Sequence, residues 1–189
     1  MSGDISPQET VERALAAVRG GECVAIAEET STANLRWAGN TLTTNGVSRS
    51  RQLTVIAIDR RGDGAAVGVV SRAGVRAGQI DDVVAEAQHA AAESALAEDT
   101  GELAGPGEPA PFGMNGGGAG WDAPPARTEI GVLRGFAAAL GQTLPVAEAA
   151  GRKLYGFAEH QVESTFLGST SGLPDRSVRS CLASPDGER

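Results

Sequence analysis

The chain has 189 residues, a formal net charge of −8 at pH 7 and 41% hydrophobic residues. This length is enough for one domain with a buried core, and the composition is that of a globular protein. A net negative surface repels polyanions, so direct binding of DNA or RNA is disfavoured. The nearest basic group comprises Arg49, Arg51, Arg60 and Arg61. Arginines that alternate in a strand or lie at a turn are more often solvated edges than phosphate contacts.

The cysteines and the apolar runs indicate the compartment. Cys23 and Cys181 lack CxxC spacing, and the N-terminus lacks a basic segment followed by an apolar run of signal-peptide length. No stretch approaches the roughly 18 consecutive apolar residues that span a bilayer. We therefore expect a reduced, cytoplasmic protein without membrane insertion.

The first half of the chain predicts a helix followed by short strands. Ser6 is a typical N-cap, with Pro7 at the first helical position and Glu9 three residues after the cap, so a helix is predicted over residues 7–19. The β-prone runs predict strands over residues 23–27, 32–38, 41–44, 52–59 and 65–71. A polar turn is expected at 28–31, Gly39-Asn40 is a turn signal, and Asn45-Gly46 is a strong hairpin signal. Short connections between successive strands favour antiparallel pairing.

The second half predicts two further helices and a closing strand. Helical spacing of apolar residues indicates a helix over 80–97 and another that starts near Thr128 and is interrupted at Pro145. Alternation over 154–167 predicts one or two strands. The Gly/Pro-rich segment 100–125 is expected to be a mobile insert, and the polar residues 177–189 a disordered tail, so the domain is predicted over 1–176. The predicted class is α/β (α+β), with a mixed, largely antiparallel sheet.

Hydrolytic zinc chemistry needs at least three ligands around an open position, typically two His residues on one helical face. The chain has only His89 and His160, neither of which is followed by Glu. Glu163 lies three residues after His160, and in a strand such positions point to opposite faces. The sequence therefore predicts no catalytic or metal-ligating residue. Two interpretations of His160 remain: it is a polar-surface or hydrogen-bonded histidine, or it has a role at a binding cleft.

A hydroxyl-rich turn follows the closing strand, with Ser169, Thr170 and Ser171 between two glycines. The pattern resembles a nucleophile elbow, but its central residue is Thr and no His and Asp partners follow it. Such a turn can donate backbone N–H groups to an anion or a peptide carbonyl. His160, Ser169, Thr170 and Ser171 are therefore the candidate binding residues.

Two stretches resemble the TldD/PmbA metallopeptidase family. Residues 35–42 (LRWAGNTL), with Asn45-Gly46, resemble the family's N-terminal hairpin signature. Residues 155–160 (YGFAEH) and 164–173 (STFLGSTSGL) resemble the strand and Ser-rich turn that close its N-terminal half. The second motif is the more specific, and its residues are more similar to those of the PmbA/TldE branch.

The resemblance implies an N-terminal domain of mixed sheet and helices, followed in full-length members by a β-rich C-terminal domain that is absent from this chain. It also implies a zinc peptidase in the catalytic members, linked to peptide-antibiotic maturation, antitoxin degradation and modulation of DNA gyrase. PmbA/TldE partners resemble the catalytic subunit but lack its metal ligands. No cofactor is therefore expected in this chain, and zinc is expected in a catalytic partner.

Three functions follow as hypotheses. The first is a non-catalytic subunit or half-subunit of a peptidase assembly, whose partners are a TldD-like catalytic subunit or the missing C-terminal half, and the peptide substrate. The second is one part of an active site completed in trans by a separately encoded domain. The third is a peptide- or small-molecule-binding module without a peptidase role. A surface that evolved to pack on another domain would also favour self-association.

Overall fold

The computed structural model describes residues 5–97, 101–105, 120–172 and 174–183. Three α-helices lie in this part of the chain: α1 (Pro7–Ala16), α2 (Ile80–Glu93) and α3 (Arg134–Ala149), with short 3-10 turns at Ala77–Gln79 and Ile130–Leu133. Its strands are β1 (Glu22–Ala38), β2 (Thr41–Arg61), β3 (Gly64–Ala73), β4 (Leu96–Ala97), β5 (Tyr155–Ser169) and β6 (Pro174–Ala183).

The six strands form one sheet in the order β4-β3-β2-β1-β5-β6. Strands β2 and β3 pair antiparallel, as do β3 and β4. Strands β1 and β5 also run antiparallel, because Asn40, just after β1, bonds to Leu154 before β5, whereas Cys23 near the start of β1 bonds to Thr170 after β5. The predicted α+β class is confirmed, with antiparallel pairing between these neighbours.

The polar turn predicted at residues 28–31 is wrong, because β1 continues through it without a break. Buried and partly exposed residues alternate along the whole strand, and the buried set includes Glu29 and Ser31. Glu29 accepts a hydrogen bond from Arg51 Nε at 2.7 Å, and Ser31 Oγ accepts one from the Thr128 backbone N–H at 3.1 Å. Partners distant in sequence therefore make polar residues compatible with a buried strand face.

The hairpin predicted at Asn45-Gly46 is also wrong, because β2 runs through both residues. The turn predicted at Gly39-Asn40 is confirmed and joins β1 to β2, with φ angles of 56° and 65° at the two residues. Positive φ at both central residues is the mark of a type I′ hairpin turn, which matches the twist of the flanking strands. Asn40 is further fixed by its side chain, which donates to the Arg152 carbonyl at 2.8 Å and accepts from the Leu154 N–H at 2.7 Å.

The helix starts agree better with the sequence than the helix ends do. Ser6 Oγ accepts a hydrogen bond from the Glu9 N–H at 3.0 Å, which confirms the predicted cap of α1. Helix α1 ends at Ala16, and α2 ends at Glu93, where β4 replaces the predicted last turn. Pro145 lies inside α3 and does not interrupt it.

The chain divides into two compact units, of which the first includes residues 1–29, 50–125 and 164–177. Its core joins α1 and α2 to one face of β1 and β2, where every second residue is buried. The central members are Val11, Cys23, Val55, Val83 and Phe166, all fully buried or nearly so. Gly68 of β3 lets α2 approach closely, because a Cβ there would clash with the Ala87 carbonyl and the Ala91 nitrogen.

The second unit comprises residues 30–49, 126–163 and 178–189. Its core is smaller and packs α3 and the preceding 3-10 turn on the sheet through Leu35, Trp37, Leu133 and Ala158. The rings of Trp37 and Phe136 lie 5.6 Å apart. Ala137, Leu140 and Leu144 complete the contact of α3 with this core.

The helical segment Ile130–Ala149 is 20 residues long, with a mean hydropathy of 1.3, and could cross a membrane by length and composition alone. One such helix is weak evidence for a membrane span. The segment contributes Leu133 to the buried core of this unit and packs Leu140 and Leu144 against it, while 17% of its apolar window is buried.

The expected disordered tail is wrong for residues 177–183, because β6 extends to Ala183. Pairing with β5 gives the backbone of this polar segment hydrogen-bond partners that its composition does not reveal. Residues 184–189 lie outside the described residues. The same holds for most of the predicted Gly/Pro-rich insert, whose described parts, 101–105 and 120–125, form no helix or strand.

Candidate functional site

His160 lies on β5, in the second unit, and both of its ring nitrogens have hydroxyl partners. Nδ1 is 2.7 Å from Thr128 Oγ1, and Nε2 is 2.9 Å from Ser180 Oγ on β6. Thr128 is itself buried and held by Ser31. The imidazole therefore connects β5, β6 and the segment before α3 within this unit.

Thr128, His160 and Ser180 are joined by hydrogen bonds in the same order as the orienting group, the base and the nucleophilic hydroxyl of a catalytic triad. Its orienting group is a neutral hydroxyl, whereas the usual carboxylate would stabilise a charged imidazolium. These hydrogen bonds fix the imidazole ring and connect it to β6. They agree with the interpretation of His160 as a hydrogen-bonded histidine. The sequence could not identify the partners, since Thr128 resembles a helix cap and Ser180 lies in the predicted tail.

Metal binding does not fit the donor set around His160, because the two nitrogens that could ligate a metal are both hydrogen bonded. His89 Nε2 lies 3.4 Å from Glu93 Oε1 on an exposed face of α2. Within the described residues, no group of three or more His, Cys, Asp or Glu side chains could hold a metal ion. Zinc in a catalytic partner stays a prediction.

The Ser-rich turn belongs to the first unit, and its hydroxyls are engaged inside that unit. Thr170 Oγ1 accepts from the Cys23 N–H at 3.0 Å, and Ser171 Oγ donates to the Ala104 carbonyl at 2.7 Å. Ser169 Oγ is 2.6 Å from Ser171 Oγ. His160 belongs to the second unit and takes part in none of these hydrogen bonds. Ligand binding by the turn stays a prediction.

A cavity of about 250 Å³ lies in the first unit, beside the start of α1 and the end of β3. Its walls include Ile5, Leu53 and Val75, with the Arg51 guanidinium in one wall. That guanidinium already bonds to Glu29 and to the Ile5 carbonyl. The cavity is therefore small and partly apolar, and its wall also carries the charged side chains of Glu28, Arg51 and Arg76.

The first unit has an aliphatic sheet face opposite α1 and α2. We call it the open face, and it consists of Val24, Ile26, Ile56, Ile58, Val67 and Val69. Within the described residues none of the six belongs to the core cluster. Ile56 lies opposite Val69 and Ile58 opposite Val67 in the β2–β3 ladder. Val69 is 57% exposed and Val67 is 38% exposed, and the other four are half-buried.

An antiparallel sheet with one face on a core normally presents polar residues on its other face. Here the second face is aliphatic over three adjacent strands, which makes β1, β2 and β3 apolar on both sides. Strands with near-continuous apolar runs are those buried on both faces. From the sequence, the apolar runs predict strands but not that both faces of these strands are apolar.

No family model and no curated protein matches the sequence. Solved structures with a similar fold do match. TldE from Thermococcus kodakarensis matches with a TM-score of 0.58 at 11% identity, over 94% of this chain and 37% of that one. A candidate modulator of a DNA gyrase from Thermotoga maritima matches with a TM-score of 0.56 at 14% identity, over 93% of this chain and 38% of that one. The chain has the fold of part of a TldD/PmbA-type protein.

A third structure supports the same conclusion. A candidate modulator of DNA gyrase from Bacteroides thetaiotaomicron matches this TldD/PmbA-type fold with a TM-score of 0.57 at 14% identity, over 93% of this chain and 38% of that one. The chain spans less than two fifths of the length of each of the three proteins. The predicted resemblance is therefore confirmed at the level of fold.

Proposed function

We propose that the chain is a non-catalytic subunit or half-subunit of a TldD-type peptidase assembly and that its open face packs against the rest of that assembly. The observation that carries the proposal is the aliphatic second face of the sheet. The shared fold supplies the class of partner, because the similar proteins extend well beyond the region that this chain matches.

Hydrophobic burial is the driving force of the proposed association. Exposed aliphatic side chains that become buried contribute about 25 cal/mol for each Å² of apolar surface removed from water. Contiguous apolar patches of this kind mark interaction sites in soluble proteins. The Thr54 and Ser71 hydroxyls, 2.7 Å apart beside the Ile56–Val69 pair, give the patch a polar border.

The test combines the purified chain with a TldD-type catalytic subunit and measures the mass of the complex by light scattering after gel filtration. We expect a stoichiometric complex for the unaltered chain and a large loss of binding for Val69→Lys. Val47→Lys is the matched control, since Val47 is 43% exposed on β2 but belongs to the second unit and not to the open face.

Two results would overturn the proposal. One is equal binding by Val69→Lys and the unaltered chain, which would remove the open face from the interface. The other is zinc-dependent, chelator-sensitive peptide cleavage by the chain alone, which would contradict a non-catalytic role.

The cavity of about 250 Å³ supports a second candidate, a module that binds a small apolar group such as a peptide side chain. N-acetyl-leucine amide is a suitable probe, followed by NMR shifts at Leu53 and Val75. Saturable shifts that Ala77→Trp abolishes by filling the cavity would support this function. Shifts that do not saturate would remove it.

A further inference from the structure

Among the strands that the structure describes, β6 is at the edge of the sheet, next to β5. An edge strand presents unpaired backbone N–H and C=O groups, which makes it a template for pairing with another chain. Natural edges are commonly protected by charges, prolines or bulges. In residues 178–182 the only charged residue is Arg179, while Val178 is 45% exposed and Leu182 is 71% exposed.

We propose that β6 pairs antiparallel with β6 of a second copy of this chain, about a two-fold axis at Ser180. In that register Val178 of each copy lies opposite Leu182 of the other copy, and Arg179 of each copy lies opposite Cys181 of the other. Aliphatic cross-strand pairs stabilise an antiparallel ladder, whereas like charges directly opposite each other destabilise it.

The neighbouring registers are less complementary. An axis at Arg179 places the two guanidinium groups opposite each other. An axis at Cys181 places Leu182 opposite Ser180 and loses the Val–Leu pairs. The axis at Ser180 therefore combines apolar pairing with separated charges, and an isologous contact of this kind closes as a dimer.

The contact is small. Five residues from each copy bury less than the roughly 1,000 Å² expected of a stable interface, so the dimer forms and dissociates reversibly. The inference uses residues of the second unit only, and it does not depend on the open face or on a peptidase partner.

Cysteine cross-linking tests both the pairing and its register. Three proteins carry a single exposed cysteine on β6: the unaltered chain with Cys181, Ser180→Cys with Cys181→Ser, and Arg179→Cys with Cys181→Ser. Residues directly opposite each other in a ladder have Cα atoms within disulfide range, whereas diagonal neighbours lie farther apart. We expect the protein with Cys at 180 to form the disulfide dimer several-fold faster than the other two.

Val178→Lys, added to the protein with Cys at 180, should slow cross-linking, and Val47→Lys should not. Sedimentation of the unaltered chain should show a concentration-dependent dimer that Val178→Lys removes and Val69→Lys retains. Equal cross-linking at all three positions would indicate random collision and overturn the proposal. Fastest cross-linking at Cys181 or at position 179 would overturn the register, and a monomer at every concentration would overturn the pairing.

Discussion

Arg51 Nε lies 2.7 Å from Glu29 Oε2, and the Glu29 side chain is only 1% exposed. The two residues are 22 positions apart, on adjacent strands of the first unit. Arg51 also donates to the Ile5 carbonyl at 3.0 Å, which connects the pair to the segment before α1. A buried carboxylate is tolerated in β1 because this guanidinium stabilises its charge.

Replacement of Arg51 by Met should lower the free energy of unfolding by about 3 to 5 kcal/mol, since it leaves the Glu29 charge buried without the guanidinium. The double variant Arg51→Met with Glu29→Gln should recover part of that loss. Urea denaturation followed by circular dichroism measures both. Arg13→Met is the control, because the exposed Arg13–Glu9 pair should contribute about 0.5 kcal/mol or less. Equal effects of Arg51→Met and Arg13→Met would refute the importance of the buried pair.

Gly68→Ala should destabilise the first unit by about 1 to 3 kcal/mol, because the added methyl group overpacks the contact between β3 and α2. The backbone atoms it would meet, in Ala87 and Ala91, belong to a helix and cannot move alone. Gly46→Ala is the matched strand control, with no atom within 4 Å of its added Cβ. Thermal unfolding should separate the two variants, and an unchanged melting temperature for Gly68→Ala would contradict the close approach of α2.

Asn40→Ala should lower stability by about 2 to 4 kcal/mol, because it removes two side-chain hydrogen bonds and places Ala at a positive φ. Asn45→Ala should change stability by less than about 0.5 kcal/mol, since Asn45 is exposed and lies in an extended strand. Denaturation of the two variants side by side distinguishes a hairpin turn at Gly39-Asn40 from one at Asn45-Gly46. The reverse order of effects would restore the Asn45-Gly46 turn.

The two cysteines should react with a thiol reagent at very different rates. Burial raises the pKa of the Cys23 thiol to about 11, whereas Cys181 is exposed. The reactive species is the thiolate, so at pH 8 Cys181 should be labelled alone, and labelling of Cys23 should rise only as the pH approaches 11. Because the pKa of Cys23 is raised in the folded state, its contribution to stability should be lost as the pH rises through the same range. Mass spectrometry of labelled peptides checks the rates, and early labelling of Cys23 would show that β1 is not buried there.

The sequence predicts well those features that local chemistry determines. The cap at Ser6 depends on residues within one helical turn, and the alternation in β5 depends on its own side chains. The polar turn at residues 28–31 could not be excluded from local chemistry, because the Arg51 guanidinium that bonds to the buried Glu29 lies 22 residues away in the sequence. Asn45-Gly46 likewise has the local chemistry of a turn, but it lies within a strand whose pairing is set by Gly39 and Asn40.

The contacts of the candidate site could likewise not be predicted from local sequence. His160 could be singled out as one of two histidines, but its partners Thr128 and Ser180 are 32 and 20 residues away. The sequence suggested that the turn formed by Ser169, Thr170 and Ser171 offers hydrogen-bond donors to a ligand. Most of the hydrogen bonds of these hydroxyl groups go to partners outside the turn. Hydrogen bonds of long sequence separation cannot be assigned before the fold is known.

Pro145 has a consequence for the environment of α3. A proline has no N–H to donate to the carbonyl four residues earlier, here that of Gly141. Both residues are exposed, so water can solvate the carbonyl at that turn of the helix. Solvent at this turn can thus supply the donor that the proline ring lacks, and α3 continues through residue 145 without a break.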